Sequence, residues 1–374
     1  MIMPLSVYVH VPFCHVKCGY CDFNSFALSG EIVDRFVDAV IREISTSEYK
    51  GSRVETVFFG GGTPTFLSGE QLARILAAVC SAFEVEGEIT SEANPGSVTL
   101  DQLRVMRSAG FNRISFGAQS FDSGELKIMD RIHSPDEIGQ AVRWARGAGF
   151  DNLNLDLIYA LPGQAIQRWR SNLKAAMALE PEHLSLYCLT LEPNTRFYHD
   201  YQKGLLTVPD DDVQIEMQRL AESMTLAAGY RQYEISNYAK PGFECEHNLV
   251  YWRNQDYVGF GPGAVSGVDG CRWMNIKHPR EYVARVENGE SLVLDTEKLG
   301  GWARVGETIM LGLRLNDGID LEALESRFCL PVRERFAETI QILAAQDRVC
   351  VESSKLRLTD EGRLWASEIA QHFL

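Results

Sequence analysis

The first half of the chain alternates short apolar runs with longer amphipathic stretches. The short runs are Leu5–Val11, Val54–Phe59, Glu88–Ala93, Asn112–Phe116, Asn152–Ile158 and His183–Leu189. Each is continuous or alternating in hydrophobicity, and most end at Gly, Pro or Asn, which predicts strands. Between them, Glu31–Ser45 carries Phe36, Val37, Val40, Ile41 and Ile44 at helical spacing. Ser68–Phe83 opens with Ser68-Gly-Glu-Gln71, a capping box. Thr99–Ala109 starts on a Thr, and Ser134–Ala148 has Pro135 in its first turn. Six strand–helix units in series predict a parallel sheet with right-handed crossovers. Buried parallel strands read as continuous apolar runs, as Val57-Phe58-Phe59 does. Six units fall short of the closed eight-fold barrel, so the expected fold is α/β, a partial (β/α)6 barrel.

The pattern changes near residue 205. Asp210–Ala228 reads as a helix, whereas Gly242–Gly270 is rich in Gly, Asn and aromatics and reads as irregular or short-strand structure. From Trp302 the period is helical again, and Arg348–Val351 with Leu356–Leu358 predicts a small hairpin. The expected division is a barrel over 1–205, a connecting region over 206–300 and a mainly helical, winged-helix-like domain over 301–374.

Bulk properties narrow the function. With 45% hydrophobic and 23% charged residues the chain of 374 is an ordinary globular protein. A net charge of −15 argues against a nucleic-acid partner, which wants a basic stripe. The N-terminus lacks the pattern of a signal peptide, and no apolar run is long enough to span a bilayer. A cytoplasmic location is expected, with peripheral membrane contact left open. Nine cysteines in such a chain are not a disulfide framework. Cys80, Cys188, Cys245, Cys271, Cys329 and Cys350 are scattered and read as small apolar residues.

The other three cysteines form Cys14-His-Val-Lys-Cys18-Gly-Tyr-Cys21, directly after the first strand. Zinc would want a fourth ligand, which His10 or His15 could supply. Ferredoxin-type runs use spacings of two and add a fourth cysteine. Three thiolates on a four-iron cluster instead leave one iron open. After the second strand comes Gly60-Gly61-Gly62-Thr63-Pro64, an ordinary tight turn or a place where a ligand approaches the backbone. Later strands end in polar groups at apolar junctions: Glu92-Ala-Asn-Pro, Gly117-Ala-Gln119-Ser and Asn154-Leu-Asp156. Buried there, they need partners, and ligands on such folds bind at the C-terminal strand ends.

The CxxxCxxC spacing, with Tyr20 before its last cysteine, is identified as the signature of the radical SAM superfamily. Resemblance to that family implies a [4Fe-4S] cluster on Cys14, Cys18 and Cys21, with S-adenosylmethionine (SAM) chelating the open iron. Further segments resemble one of its groups, the coproporphyrinogen III dehydrogenase-like (HemN) proteins. They are Tyr-Val-His-Val-Pro-Phe-Cys14, Phe-Gly-Gly-Gly-Thr-Pro-Thr65, Asn112-Arg-Ile-Ser-Phe-Gly-Ala-Gln-Ser-Phe121, Arg131-Ile-His133 and Asn154-Leu-Asp-Leu-Ile-Tyr-Ala-Leu-Pro-Gly163. Carried over residue by residue, the likeness makes Tyr8, Tyr20, Gly61, Gly62, Thr63, Glu92, Gln119, Arg131 and Asp156 SAM-contacting.

Two departures point within that group to the HemW branch, whose members resemble the dehydrogenases but bind haem and pass it to client haem proteins. Phe23 stands where true dehydrogenases carry a fourth cysteine, and the chain starts almost on its first strand, without their N-terminal extension. Cys245-Glu-His-Asn-Leu-Val-Tyr-Trp252 matches the branch's HNxxYW motif, which implies His247 as a haem ligand. Neutral imidazole suits iron, and the bland alternative is a structural histidine among aromatics. Val265 stands in Gly259-Phe-Gly-Pro-Gly-Ala-Val-Ser266 where the branch often has histidine, so a ligand there is not available to this chain. The leading expectation is a haem chaperone. Competing with it are a coproporphyrinogen III dehydrogenase and, more distantly, a radical SAM enzyme for another substrate.

Overall fold

The computed structural model describes residues 5–374. Six parallel strands, β1 (Leu5–Val11), β2 (Arg53–Gly61), β3 (Glu84–Ala93), β4 (Arg113–Gln119), β5 (Asn152–Tyr159) and β6 (His183–Cys188), pair in sequence order as a partial barrel. The helices Glu31–Ser45, Gly69–Ala82, Leu100–Ala109 and Pro135–Gly147 fall where the periodicity predicts them. Ser68 and Gln71 form a reciprocal capping box, and Thr99 caps its helix through Gln102 N–H.

Residues 206–300 contribute six more strands to the same sheet. β7 (Arg231–Gln232) and β8 (Asn237–Ala239) extend it antiparallel beyond β6. β9 (Tyr257–Phe260) joins β1 in parallel, followed by β10 (Val265–Val268), β11 (Cys271–Asn275) and β12 (Val293–Lys298). Met217, Tyr238, Val258 and Tyr282 of this region lie in the same hydrophobic cluster as the strands and helices of the barrel. One expectation there differs: Glu246–Trp252, read as irregular, is a short helix. At seven residues it is below the length at which propensity sustains a helix, so tertiary packing holds it.

The C-terminal unit has its own core of Val305, Ile309, Leu321, Phe336, Leu343, Leu356 and Phe373. Helices Gly301–Gly312, Leu321–Phe328 and Val332–Ala345 precede the hairpin β14 (Val349–Glu352) and β15 (Lys355–Leu358), with the two-residue β13 (Ile319–Asp320) on β15. That is the winged-helix-like order.

Side chains alternate along each strand. Val7, Val9, Val57, Phe59, Ile114, Phe116, Leu153, Leu155 and Leu157 are buried in the main core. The opposite face carries Ser6, Tyr8 and His10, then Thr56 and Phe58, Glu88 and Glu92, Arg113 and Ser115, Asn154 and Asp156, His183 and Ser185. The barrel interior is therefore largely polar, with an aromatic stack of Tyr8, Phe58 and His247 within it, and this face builds the site.

Candidate functional site

The C-terminal ends of β1–β6 open on a cavity of about 380 Å³. Its wall includes Cys14, Cys18, Cys21 and Tyr20 from the loop after β1, and Gly61, Gly62 and Thr63 from the turn after β2. Glu92, Gln119 and Asp156 line it from β3, β4 and β5, and Arg131 from the segment after helix Ser123–Ile128. Residues spread over 143 positions in the sequence thus meet at one mouth, because six parallel strands deliver their C-terminal ends there. Among the described residues, no three His, Cys, Asp or Glu side chains converge tightly enough to hold a single metal ion.

The two cofactor-type loops are stitched together. Gly62 N–H donates to Val11 O at 2.8 Å and Thr63 N–H to Phe13 O at 2.8 Å. The Thr63 hydroxyl lies 3.6 Å from Cys14 Sγ. A Cβ on Gly62 would sit 2.6 Å from Phe13 O, so only glycine fits beside the start of the cysteine loop. The loop closes on itself through Cys14 N–H to Phe26 O and Phe26 N–H to Pro12 O.

The site concentrates buried ionisable groups. Arg131 donates to Gly117 O at 2.6 Å and reaches Cys18 Sγ at 3.5 Å. Burial pushes the Cys14 thiol up and the Cys21 thiol up to about 11. Burial, and then the charge of Asp156, pushes the Glu92 carboxyl up to about 8. Burial also raises Asp156, against hydrogen bonds from Asn154 and Ser115. Gln119 holds a left-handed φ of 64°, rare for a side chain with a Cβ. Its Oε1 and the Nε of Arg131 are buried without a partner. Such atoms cost free energy until a ligand satisfies them, so the mouth fits a polar, charged guest. Phe23 lies on the same wall and is 60% exposed.

Two residues of the expected set lie elsewhere. Tyr8 is not part of the cavity wall; it sits deeper on β1, its hydroxyl donating to His10 Nδ1 at 3.1 Å. His247 is further still from the mouth, against the N-terminal half of the barrel, on a helix that plugs the floor. Glu88 of β3 accepts the N–H groups of Glu246 and His247, each at 3.3 Å, which caps the plug helix. His247 is 1% exposed, with Nδ1 2.7 Å from Thr56 Oγ1 and Nε2 3.0 Å from the Tyr251 hydroxyl. Thr56 donates to Ser6, so it accepts from Nδ1–H, and Nε2 accepts from Tyr251. Both ring nitrogens are occupied. Burial, and then Arg113, lowers the His247 pKa to about 3, so the ring is neutral.

Sequence patterning alone left out the role of His10, which was weighed only as a zinc ligand. Its Nε2–H donates to Asn24 O at 2.8 Å inside the cysteine loop. The available signal was the period-two polar series Ser6, Tyr8, His10 on an otherwise apolar strand.

Residues 8–176 match the Radical SAM superfamily, and residues 301–365 match the HemN C-terminal domain. The chain is 34% identical to "Heme chaperone HemW" of Bacillus subtilis, covering 99% of each chain. It is 43% identical to "Heme chaperone HemW" of Escherichia coli over 75% of this chain and 76% of that protein. Among solved structures, coproporphyrinogen III oxidase (HemN) from Escherichia coli, titled a radical SAM enzyme, superposes with a TM-score of 0.85 at 26% identity. That match covers 99% of this chain and 90% of the other. No described helix is long and apolar enough to cross a membrane. With full-length likeness to HemW of Bacillus subtilis and a Radical SAM match over the barrel, the chain belongs to the HemW family of the radical SAM superfamily.

Proposed function

We propose that the protein is a haem chaperone, binding haem and delivering it to client haem proteins, and that it holds a [4Fe-4S] cluster on Cys14, Cys18 and Cys21 with SAM beside it. One observation carries the cofactor assignment: three thiols, a backbone-exposing glycine turn, two carboxyls and two unpartnered buried polar atoms meet in one cavity. A cluster takes one thiolate per iron, so the thiols need not converge on a point as they would for zinc. When bound, the cluster supplies an open iron and an electron to SAM.

The chain's own residues have separable tasks. Glu92 and Asp156, whose carboxyls burial disfavours as anions, would accept from the SAM ammonium and hydroxyl groups, and the ammonium charge would favour their ionised forms. Gln119 Oε1 and Arg131 Nε would gain the partners they lack. Arg131, beside Cys18, balances thiolate charge. Tyr8 supports this set from the layer beneath through His10.

The chaperone assignment rests on the family name and on Phe23, an aromatic side chain that neither ligates metal nor does thiol chemistry where dehydrogenases carry cysteine. His247 is the proposed haem ligand; Nε2, which now accepts from the Tyr251 hydroxyl, would be the nitrogen that holds iron. We assign the protein to the cytoplasm, with any membrane contact peripheral and set by the client.

The test is an anaerobic assay of reconstituted protein with SAM, reductant and coproporphyrinogen III, beside a haem titration. A Soret band on haem addition without formation of protoporphyrinogen IX is expected. Enzyme-like turnover of coproporphyrinogen III would overturn the chaperone reading in favour of the dehydrogenase. Haem binding undiminished in His247→Ala would remove His247 as the ligand while leaving the carrier function.

A further inference from the structure

We infer that the plug helix in the barrel floor positions the cysteine loop at the barrel mouth, with His247, Tyr8 and His10 as the positioning residues that connect them. The inference rests on the cysteine loop being the cluster site and does not require that haem bind His247.

The connection is continuous. The His247 ring stacks on Phe58, with centroids 5.1 Å apart and planes at 21°. Phe58 stacks on Tyr8 at 6.3 Å and 20°, and His247 itself lies 6.4 Å from Tyr8 at 27°. Tyr8 then donates through its hydroxyl to His10 Nδ1, and His10 Nε2–H donates to Asn24 O. Asn24 belongs to the cysteine loop, three residues after Cys21. Its side-chain amide donates to Pro262 O and Lys277 O, each at 3.0 Å, which pins the loop to the segments flanking β10 and β11.

The directions of these bonds are fixed by chemistry. Asn24 O only accepts, so His10 carries its proton on Nε2 and must accept from Tyr8. At the floor, the plug is anchored from two sides, by Glu88 at its N-terminus and by the Thr56–Ser6 hydroxyl pair at His247. The Cβ direction of Gly61 would run into the His10 ring at 2.6 Å, so His10 also fills the space beneath the glycine turn. A shift of the plug moves Phe58 and Tyr8, and a shift of Tyr8 releases His10 from the loop. A close-packed interior transmits such displacements because it has no slack to absorb them.

The experiment uses full-length protein and Tyr8→Phe, His247→Ala and the double variant. In the apo protein, alkylation of Cys14, Cys18 and Cys21 by iodoacetamide is followed by mass spectrometry, with the exposed Cys80 and Cys329 as internal references. In the reconstituted protein, the electron paramagnetic resonance spectrum of the reduced cluster is recorded. Each single variant should speed loop alkylation about fivefold relative to the references, the loss of about one net hydrogen bond. Each should also alter the spectrum, and the double variant should be no worse than either single variant, because both break one pathway. A purely structural role for His247 would lower the melting temperature and leave alkylation and spectrum unchanged, which would overturn the inference. Fully multiplicative effects would overturn it as well. If His247→Ala does not fold, the isosteric Thr56→Val, which removes the Nδ1 acceptor, takes its place with the same expected outcomes. Loss of haem binding in His247→Ala with the loop unaltered would keep the chaperone reading and sink this one; altered loop behaviour with normal haem binding would uphold this inference and remove only His247 as the haem ligand.

Discussion

Gly62→Ala probes the joint between the glycine turn and the cysteine loop. A Cβ at this position meets Phe13 O at 2.6 Å and the Phe13 carbonyl carbon and nitrogen at 3.0 Å, all backbone atoms that cannot rotate away. To restore ordinary contact at 3.4 Å, residue 13 must retreat by about 0.8 Å. Cys14 is the next residue, and its movement opens the Thr63 N–H to Phe13 O bond as well. Overpacking of this kind costs about 1–3 kcal/mol, and the lost hydrogen bond about 1 kcal/mol more. The strands below do not touch the new methyl group, so the protein should fold with a melting temperature lowered by roughly 3–5 °C. Cluster assembly should suffer far more than stability, since one of three thiolates is displaced. Iron and sulfide analysis after anaerobic reconstitution reads the first effect, and thermal melting by circular dichroism reads the second. Gly300→Ala, where nothing lies within 4 Å of the new Cβ, is the neutral control. Gly62→Ala protein with wild-type iron content and wild-type SAM affinity would refute the idea that this contact sets the loop.

Changing any one of Cys14, Cys18 or Cys21 to Ala should abolish the [4Fe-4S] absorbance, whereas Cys188→Ala, on the same cavity wall, should retain it; a full cluster in a loop variant, or stoichiometric zinc in the native protein, would contradict the assignment. Glu92→Ala or Asp156→Ala should weaken SAM binding by about ten- to a hundredfold with the cluster intact, the worth of a charge-assisted hydrogen bond, and calorimetric affinities unchanged in both would take these carboxyls out of the site. Glu43, on helix Glu31–Ser45, accepts from Tyr282, Gly261 N–H and Asn275, and burial pushes its pKa from 4.5 to about 7. The folded-state value lies above the unfolded one, so the protonated form is favoured on folding: this contribution is complete below about pH 4.5 and is lost as pH rises through about 7. Solvent reaches part of Glu43, which reduces the loss to about 1–2 kcal/mol; melting temperatures from pH 5 to 8.5 should therefore fall more steeply for wild type than for Glu43→Gln, and identical slopes would argue against it.

Much of the barrel was legible because its signals are local. The apolar runs that became β1 to β6 sit within a few residues of their expected bounds, and Ser68 with Gln71 announces a helix start that the structure contains. The mouth was legible for a different reason: strands that alternate with helices must deliver their C-terminal ends to one side, so Glu92, Gln119 and Asp156 share a wall although no local pattern joins them. The six strands of 206–300 were not legible as parts of the same sheet. β7 has two residues and β8 three, and β9 finds its place beside β1 through a pairing over 250 positions away in sequence. The helix Glu246–Trp252 was missed because Asn248, Val250, Tyr251 and Trp252 are mediocre helix formers, and its cap is Glu88, far off on β3. That His247 faces Thr56 and Tyr251 inside the barrel was not legible, because motif spacing carries no information on which way a side chain faces.

The polar interior explains why the floor and the mouth belong to one design. Arg113 is 2% exposed, faces Glu88 at 3.7 Å, and leaves its Nε without a hydrogen bond. A buried pair of this quality adds little to stability, while removing one partner strands a charge at a cost of about 3–5 kcal/mol. His183 beside it is held neutral by burial and by Arg113, and bonds to Asn154 and Tyr233. An apolar filling of the same volume would be at least as stable, so these groups are better understood by what they hold. Glu88 holds the N-terminus of the plug helix, and Arg113 lies against Glu88 from the other side. Asn154, held by His183, donates to Asp156 at 2.7 Å and so orients a carboxyl at the cavity wall. Two chains of contacts therefore run from floor to mouth, one through His183, Asn154 and Asp156 and one through His247, Tyr8 and His10. A barrel that needed only to fold would have no use for either; one that must present three thiols and two carboxyls in fixed relation to each other has use for both.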